Sequence, residues 1–116
     1  MTYTEALELV RTEFETKRDA AHNEVVLTGM TYDGCNGVCV CIYNYGDRIM
    51  VTDMGETAYF FSEVEEEEWK SLCAEHGFEF NHWRIETPFN SLEDLYSYIE
   101  FIDFISDKYC GLDDLD

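Results

Sequence analysis

Residues 37–61, GVCVCIYNYGDRIMVTDMGETAYFF, constrain the fold more than any other part of the chain. The stretch opens with an apolar run, turns at Tyr45-Gly46-Asp47, returns through Arg48–Thr52 and turns again at Asp53-Met54-Gly55-Glu56. Side chains alternate along an extended strand, so Val38, Val40 and Ile42 share one side and Cys39, Cys41 and Tyr43 the other. Both sets are largely apolar, which predicts a central strand covered on both faces. Gly55 suits a left-handed position in the second turn. With residues 25–31 as the preceding strand and the polar, glycine-rich YDGCNG as the connecting turn, the reading is a three-stranded antiparallel meander.

Helical spacing governs the chain on either side. Leu7, Val10 and Phe14 form an apolar stripe behind a Thr2 or Thr4 cap, with Glu5, Glu8, Glu15 and Asp19 on the outer face. Lys17 and Arg18 suit the C-terminal end of a helix finishing near residues 20–22. Residues 57–61 fit either a fourth strand or the start of a helix. Ser62-Glu63-Val64-Glu65 has capping-box spacing and predicts a helix with Trp69, Leu72 and Cys73 inward, stopped by Gly77. Residues 78–85 alternate as one strand, with Pro88 in the following loop. A last helix starts at Asn90 or Ser91, with Glu93 or Asp94 at the capping-box position. Its apolar face is Leu92, Leu95, Tyr96, Ile99, Ile102 and Phe104 or Ile105, and Gly111 ends it. The expected fold is α+β, an antiparallel sheet of four to five strands with N-terminal, middle and C-terminal helices packed on it. Residues 1–116 read as a single domain, with 110–116 a frayed acidic tail.

Charge is the anomaly. Twenty-six acids face seven lysines and arginines, a formal net charge of −19. Hydrophobic residues at 46% make the chain too apolar for a disordered acidic tail, so this charge sits on a folded surface. Direct binding to nucleic acid or anionic lipid is electrostatically opposed, and a basic protein surface is favoured. The five cysteines, an odd number, fit reduced thiols better than a disulfide scaffold. No secretory leader and no stretch of ~18 apolar residues is evident, so a cytoplasmic protein is the expectation, with no membrane partner.

Chemistry-bearing constellations are sparse. Cys73, His76 and His82 supply metal- or thiol-type residues, yet no paired-ligand spacing accompanies them, and cysteine and base on one helix face make a poor nucleophile pair. Asp53-x-Gly55-Glu56 lacks the alternating oxygens of a calcium loop and fits a β-turn. No cofactor or metal is expected. Arg48-Ile49-Met50-Val51-Thr52-Asp53-Met54-Gly55-Glu56-Thr57 resembles the hairpin of a family of small bacterial and phage domains of unknown function. Their pattern is a strand ending in Thr-Asp-x-Gly-x-Thr, then a helix, a glycine exit and a short strand. Gly77-Phe78 matches that exit. The likeness covers residues 25–105 in layout and 48–57 in motif; it implies a fold and no catalytic residue.

The acidic sets carry the functional expectation. Glu93, Glu100 and Asp107 are seven apart on one helix face with Asp103 beside them, a row spaced about 10.5 Å per step. Glu65, Glu66, Glu67 and Glu68 add a compact cluster. Tyr32, Tyr43 and Tyr45, near turns, are candidate interface anchors. The leading expectation is a non-enzymatic inhibitor that presents a nucleic-acid-like surface to a basic nucleic-acid-binding protein such as a phage-defence nuclease. In character, though in no motif, the chain is similar to phage-encoded anti-CRISPR inhibitors. The alternatives are a regulatory or immunity-type partner of one cognate protein, and a metal- or thiol-dependent enzyme around Cys73, His76 and His82. Self-association is left open.

Overall fold

The 37–61 stretch folds as two paired strands and a short helix, and the rest of the sheet is built outward from them. The computed structural model describes residues 1–21 and 23–110. Its elements in order are α1 (Tyr3–Arg11), β1 (Glu15–Arg18), β2 (Glu24–Thr31), β3 (Gly37–Tyr45), β4 (Arg48–Thr52), α2 (Glu56–Phe60), α3 (Glu66–His76), β5 (Glu79–Asn81), β6 (Arg84–Pro88) and α4 (Leu92–Tyr109). The six described strands form one sheet in the order β1-β2-β3-β4-β6-β5, antiparallel at every pairing. The fold is α+β as expected, with six strands and four helices in place of four to five and three. None of the described helices is long and apolar enough to cross a membrane.

Every buried hydrophobic residue of the helices joins one core with Val26, Val40, Ile42, Val51 and Ile85. Val25, Cys41 and Met50 point to the opposite face and lie outside that core, although each is buried. The central strand is therefore apolar on both sides without a helical layer on both. Long side chains, Tyr43 of β3 and Arg84 of β6 among them, lie on that second face. The strand register sorts the residues: Val26 opposes Val40 on the helical side, Val25 opposes Cys41 on the other.

The first helix is shorter than its periodicity predicts. It ends at Arg11, where the Thr12 hydroxyl donates to Leu9 O at 2.6 Å. Glu15, Thr16, Lys17 and Arg18 then pair with β2 as an edge strand, so Lys17 and Arg18 do not close a helix. The expected end at residues 20–22 falls in a loop, with His22 outside the described residues. Residues 57–60 are helical and Phe61 is the C-cap of α2. The Ser62 capping box does not form: α3 starts at Glu66 behind Glu65, which makes no side-chain cap. Gly77 ends α3 in the left-handed conformation (φ 82°), with Phe78 N–H donating to Cys73 O at 2.8 Å.

Residues 78–85 are not one strand. His82 and Trp83 both take positive φ (52° and 66°), which reverses the chain into the β5–β6 hairpin. Pro88 ends β6 opposite Met50 instead of lying beyond it. In α4 the Ser91–Asp94 capping box forms, and Leu95, Tyr98, Phe101, Ile102 and Ile105 are buried. Ile99 is half-buried and Tyr96, expected inward, is exposed; of the alternatives Phe104 and Ile105, Ile105 takes the core face and Phe104 is exposed. The Gly111 stop and the acidic tail lie outside the described residues.

The Thr-Asp-x-Gly-x-Thr stretch is a clasp between three elements. Asp53, fully buried, accepts from Gly55 N–H (2.9 Å), Ile85 N–H (3.1 Å) and Thr57 N–H (3.2 Å). One carboxylate thus ties β4 to β6 and starts α2. Burial drives its carboxyl above the ordinary range, against the pull of those donors. Gly55 has φ 81°, and a β-carbon there would stand 3.6 Å from Trp83 O. Thr57 shares a 2.9 Å hydrogen bond with the buried Tyr32 hydroxyl.

Candidate functional site: an acidic helical layer

Within its helices and strands, which hold sixteen of the twenty-six acids, the fold separates the charges by layer. The strands carry Glu15, Glu24, Glu79 and Glu86 against Lys17, Arg18, Arg48 and Arg84, four of each sign. The helices carry two acids on α1, one on α2, four on α3 and five on α4, against Arg11, Lys70 and Lys108. Strand carboxylates hold most of the bases. Glu24 pairs with Arg11 (2.6 Å) and Arg18 (3.8 Å), Glu79 with Arg48 (2.8 Å), and Glu86 with Arg84 (3.5 Å).

Two of those acids are buried in the sheet. Burial of Glu24 works against its charge, but hydrogen bonds from Thr16 and Arg11 prevail and hold it below the ordinary carboxylate range. Glu86 accepts from the Tyr43 hydroxyl at 2.9 Å. Burial and that carboxylate together push the Tyr43 phenol up to about 12.

The α4 row forms where its sequence places it. Glu93, Glu100, Asp103 and Asp107 are all exposed. At about 100° per residue they lie roughly opposite the buried Leu95, Tyr98, Ile102 and Ile105, so the row points away from the core. On α3, Glu66, Glu67 and Glu68 occupy the first turn, where the helix dipole favours negative charge, and Glu65 stands immediately before it. Glu65, Glu67 and Glu68 are exposed and Glu66 is half-buried.

The start of α3 meets the end of α4. Tyr109 donates its hydroxyl to Glu68 at 2.9 Å, and the Trp69 and Tyr109 rings stand 5.6 Å apart. At the other end of α3, His76 lies 5.0 Å from Phe101 and 4.8 Å from Phe104. The helices therefore run antiparallel, and the Glu65–Glu68 cluster flanks the end of α4 that carries Asp107.

The tyrosines do not join this layer. Tyr32, 2% exposed and stacked 4.9 Å from Phe60, is a core residue and presents nothing to a partner. Tyr43 and Tyr45, 6.3 Å apart, lie on the sheet face away from the helices. There they line a cavity of about 330 Å³ with Arg48, Met50, Arg84 and Glu86. Tyr45 is exposed, while Tyr43 is half-buried.

Nor does the structure gather Cys73, His76 and His82. Cys73 is fully buried, and burial pushes its thiol up to about 12. His76 is exposed on α3, and His82 sits in the β5–β6 turn beside the Tyr43 cavity. Among the described residues no three His, Cys, Asp or Glu side chains are grouped to hold a metal ion.

Sequence reasoning missed Glu24, Glu86 and Asp53 as buried, partnered acids. Their signal was an acid inside a β-branched run, at Glu24-Val25-Val26, Ile85-Glu86-Thr87 and Val51-Thr52-Asp53. No family model, no curated protein and no solved structure matches the chain.

Proposed function

We propose that this protein is a non-enzymatic binding module whose acidic helical layer docks on a basic nucleic-acid-binding protein, such as a nuclease, and occupies the surface meant for a phosphate backbone. The observation that carries this reading is the partition of charge. A sheet with equal numbers of acids and bases supports helices in which acids far outnumber bases, and the regular α4 row faces outward. Solubility alone would be served by acids spread over both layers. A net −9 on the helices against a balanced sheet builds a directed field that draws and orients a basic partner.

The test is capture on immobilised protein at about 0.1 M salt, where the Debye length is about 10 Å. Captured proteins should be nucleic-acid binders, should elute as salt rises, and should be displaced by duplex DNA or RNA. Capture of proteins without nucleic-acid affinity, or capture unmoved by salt and duplex, would sink the reading. A salt-insensitive partner competing at Tyr45 and Arg48 would instead favour the one-cognate-partner reading, on the charge-balanced face with its cavity.

A further inference from the structure

The groove between α3 and α4 combines aromatic rings with a carboxylate in a way that the acidic row alone does not. His76, Phe78, Ser97, Glu100, Phe101 and Phe104 line a depression of about 330 Å³. Its rings are ordered: Phe78 stacks on Phe101 at 4.5 Å and 12°, and Phe101 lies nearly parallel to Phe104 at 6.5 Å and 11°. His76 tilts against both α4 phenylalanines. Phe101 is the buried floor, yet Phe104 is 43% exposed on the outward side of α4. Glu100 is four residues before Phe104 and therefore its neighbour along the helix surface. No lysine or arginine lines the groove.

An exposed aromatic face beside an unpaired acid has one natural complement. A planar guanidinium can lie flat on a ring while its edge donates to a carboxylate, which an ammonium cannot do in the same geometry. We infer that this groove is the seat for an arginine side chain of the basic partner, with Phe104 as the stacking surface and Glu100 as the acceptor. The inference rests on the proposed docking function and adds to it: the acidic row draws the partner in, and the groove selects arginine over lysine. Asp103 and Asp107 keep the surroundings negative without belonging to the seat.

The experiment titrates nona-arginine and nona-lysine, equal in charge, into the labelled 116-residue chain and follows backbone amide shifts and affinity. Nona-arginine should bind about threefold or more tighter, the size expected of one exposed cation–π contact. Its largest shifts should fall on Ser97, Glu100, Phe101 and Phe104. Phe104→Leu, which keeps an apolar side chain at an exposed position, should abolish the preference by lowering nona-arginine affinity more than nona-lysine affinity. Glu100→Gln should reduce the preference further than Glu93→Gln does. Equal affinity for the two peptides, or a preference that survives in Phe104→Leu, overturns the arginine seat while leaving the acidic docking face standing. Failure of both peptides to bind at low salt overturns the docking face as well.

Discussion

The two layers of this protein treat a carboxylate in opposite ways. In the sheet, Glu24, Glu79 and Glu86 each have a basic partner within ion-pair distance, and Glu24 and Glu86 are buried with further donors. In the helices, the α4 row stands in water beside like charges, and Asp103 and Asp107 sit one helical turn apart. A buried acid without partners would cost several kcal/mol, so the sheet takes most of the arginines. The helices carry nine of the nineteen net negative charges, and the rest fall in the connecting and terminal segments. The same residue type is structural in one layer and available for recognition in the other. Stability measurements can separate the two roles.

The largest expected effect is at Asp53, where the layers join. Asp53→Ala leaves the N–H groups of Gly55, Thr57 and Ile85 buried without their acceptor. Each such loss costs on the order of 1–3 kcal/mol, so chemical denaturation should show a loss of about 3–5 kcal/mol. Asp53→Asn should lose less, because one oxygen still serves Gly55 and Ile85 while the amide nitrogen faces the Thr57 N–H. A loss under about 1 kcal/mol for the alanine variant would mean that the clasp does not hold the joint.

Next comes the Arg11–Glu24 pair. Arg11 is partly exposed but Glu24 is not, so Arg11→Met strands a buried carboxylate with Arg18 and Thr16 as its remaining partners. At neutral pH the loss should be about 1–2 kcal/mol, reduced from the cost of a fully buried pair by solvent around Arg11. The sign with pH is fixed by the depressed carboxyl. Its stabilisation is present above the ordinary value of 4.5 and is lost as pH falls through the lower folded value. Wild type and variant should therefore converge in denaturant midpoint at acid pH. A gap that widens on acidification would contradict the pairing.

Asp94, although helical, should behave like a sheet acid. Asp94 accepts from Asn90 N–H at 2.7 Å and Ser91 N–H at 3.1 Å, closing the N-terminus of α4. Asp94→Ala should cost about 1 kcal/mol in thermal or chemical unfolding. Glu93→Ala, its exposed neighbour, should cost only a few tenths through the helix dipole. Equal costs for the two would blur the distinction between engaged and free acids.

What the sequence showed, and what it hid, follows the range of the forces involved. The β3–β4 hairpin was readable because Tyr45-Gly46-Asp47 is a local turn signal, and α4 because its cap and stripe lie within one segment. Gly77 marked the end of α3 for the same reason. The strand at Glu15–Arg18 was not readable, since Leu7, Val10 and Phe14 continue a helical spacing past Arg11 with no glycine or proline to stop it. Only pairing with Glu24–Leu27 decides that stretch, and pairing is not local. The His82-Trp83 turn was hidden because a residue as bulky as tryptophan rarely occupies left-handed backbone. In the candidate site, the outward row was legible from spacing alone. The groove at Phe104 was not, because the spacing left Phe104 and Ile105 as alternatives for the core face, and packing gives that place to Ile105.

The smallest expected change in stability belongs to the acidic row, and it is the one that bears on function. Reversing Glu93, Glu100 and Asp107 to lysine makes three local changes of different sign. At Glu93, in the first turn of α4, a lysine opposes the helix dipole and should cost about 0.3–1 kcal/mol. At Asp107, in the last turn, the same dipole favours the lysine by a similar amount. Between these, reversal at positions 100 and 107 replaces like-charge neighbours of Asp103 with opposite-charge ones, worth about 0.2–0.5 kcal/mol each. The sum should lie within about 0.5 kcal/mol of zero or slightly favour the variant. The triple variant should therefore melt at or above the wild-type temperature, with a salt dependence weaker than that of wild type because less self-repulsion remains to be screened. Binding should move the other way: affinity for a basic partner should fall, mostly through a slower association rate and with a shallower salt slope. If the variant unfolds as readily as Asp53→Ala, the row is engaged with the fold after all. If it holds its stability and also keeps its partner affinity and salt slope, the row is a solvated face and recognition lies on the Tyr43–Tyr45 side of the sheet.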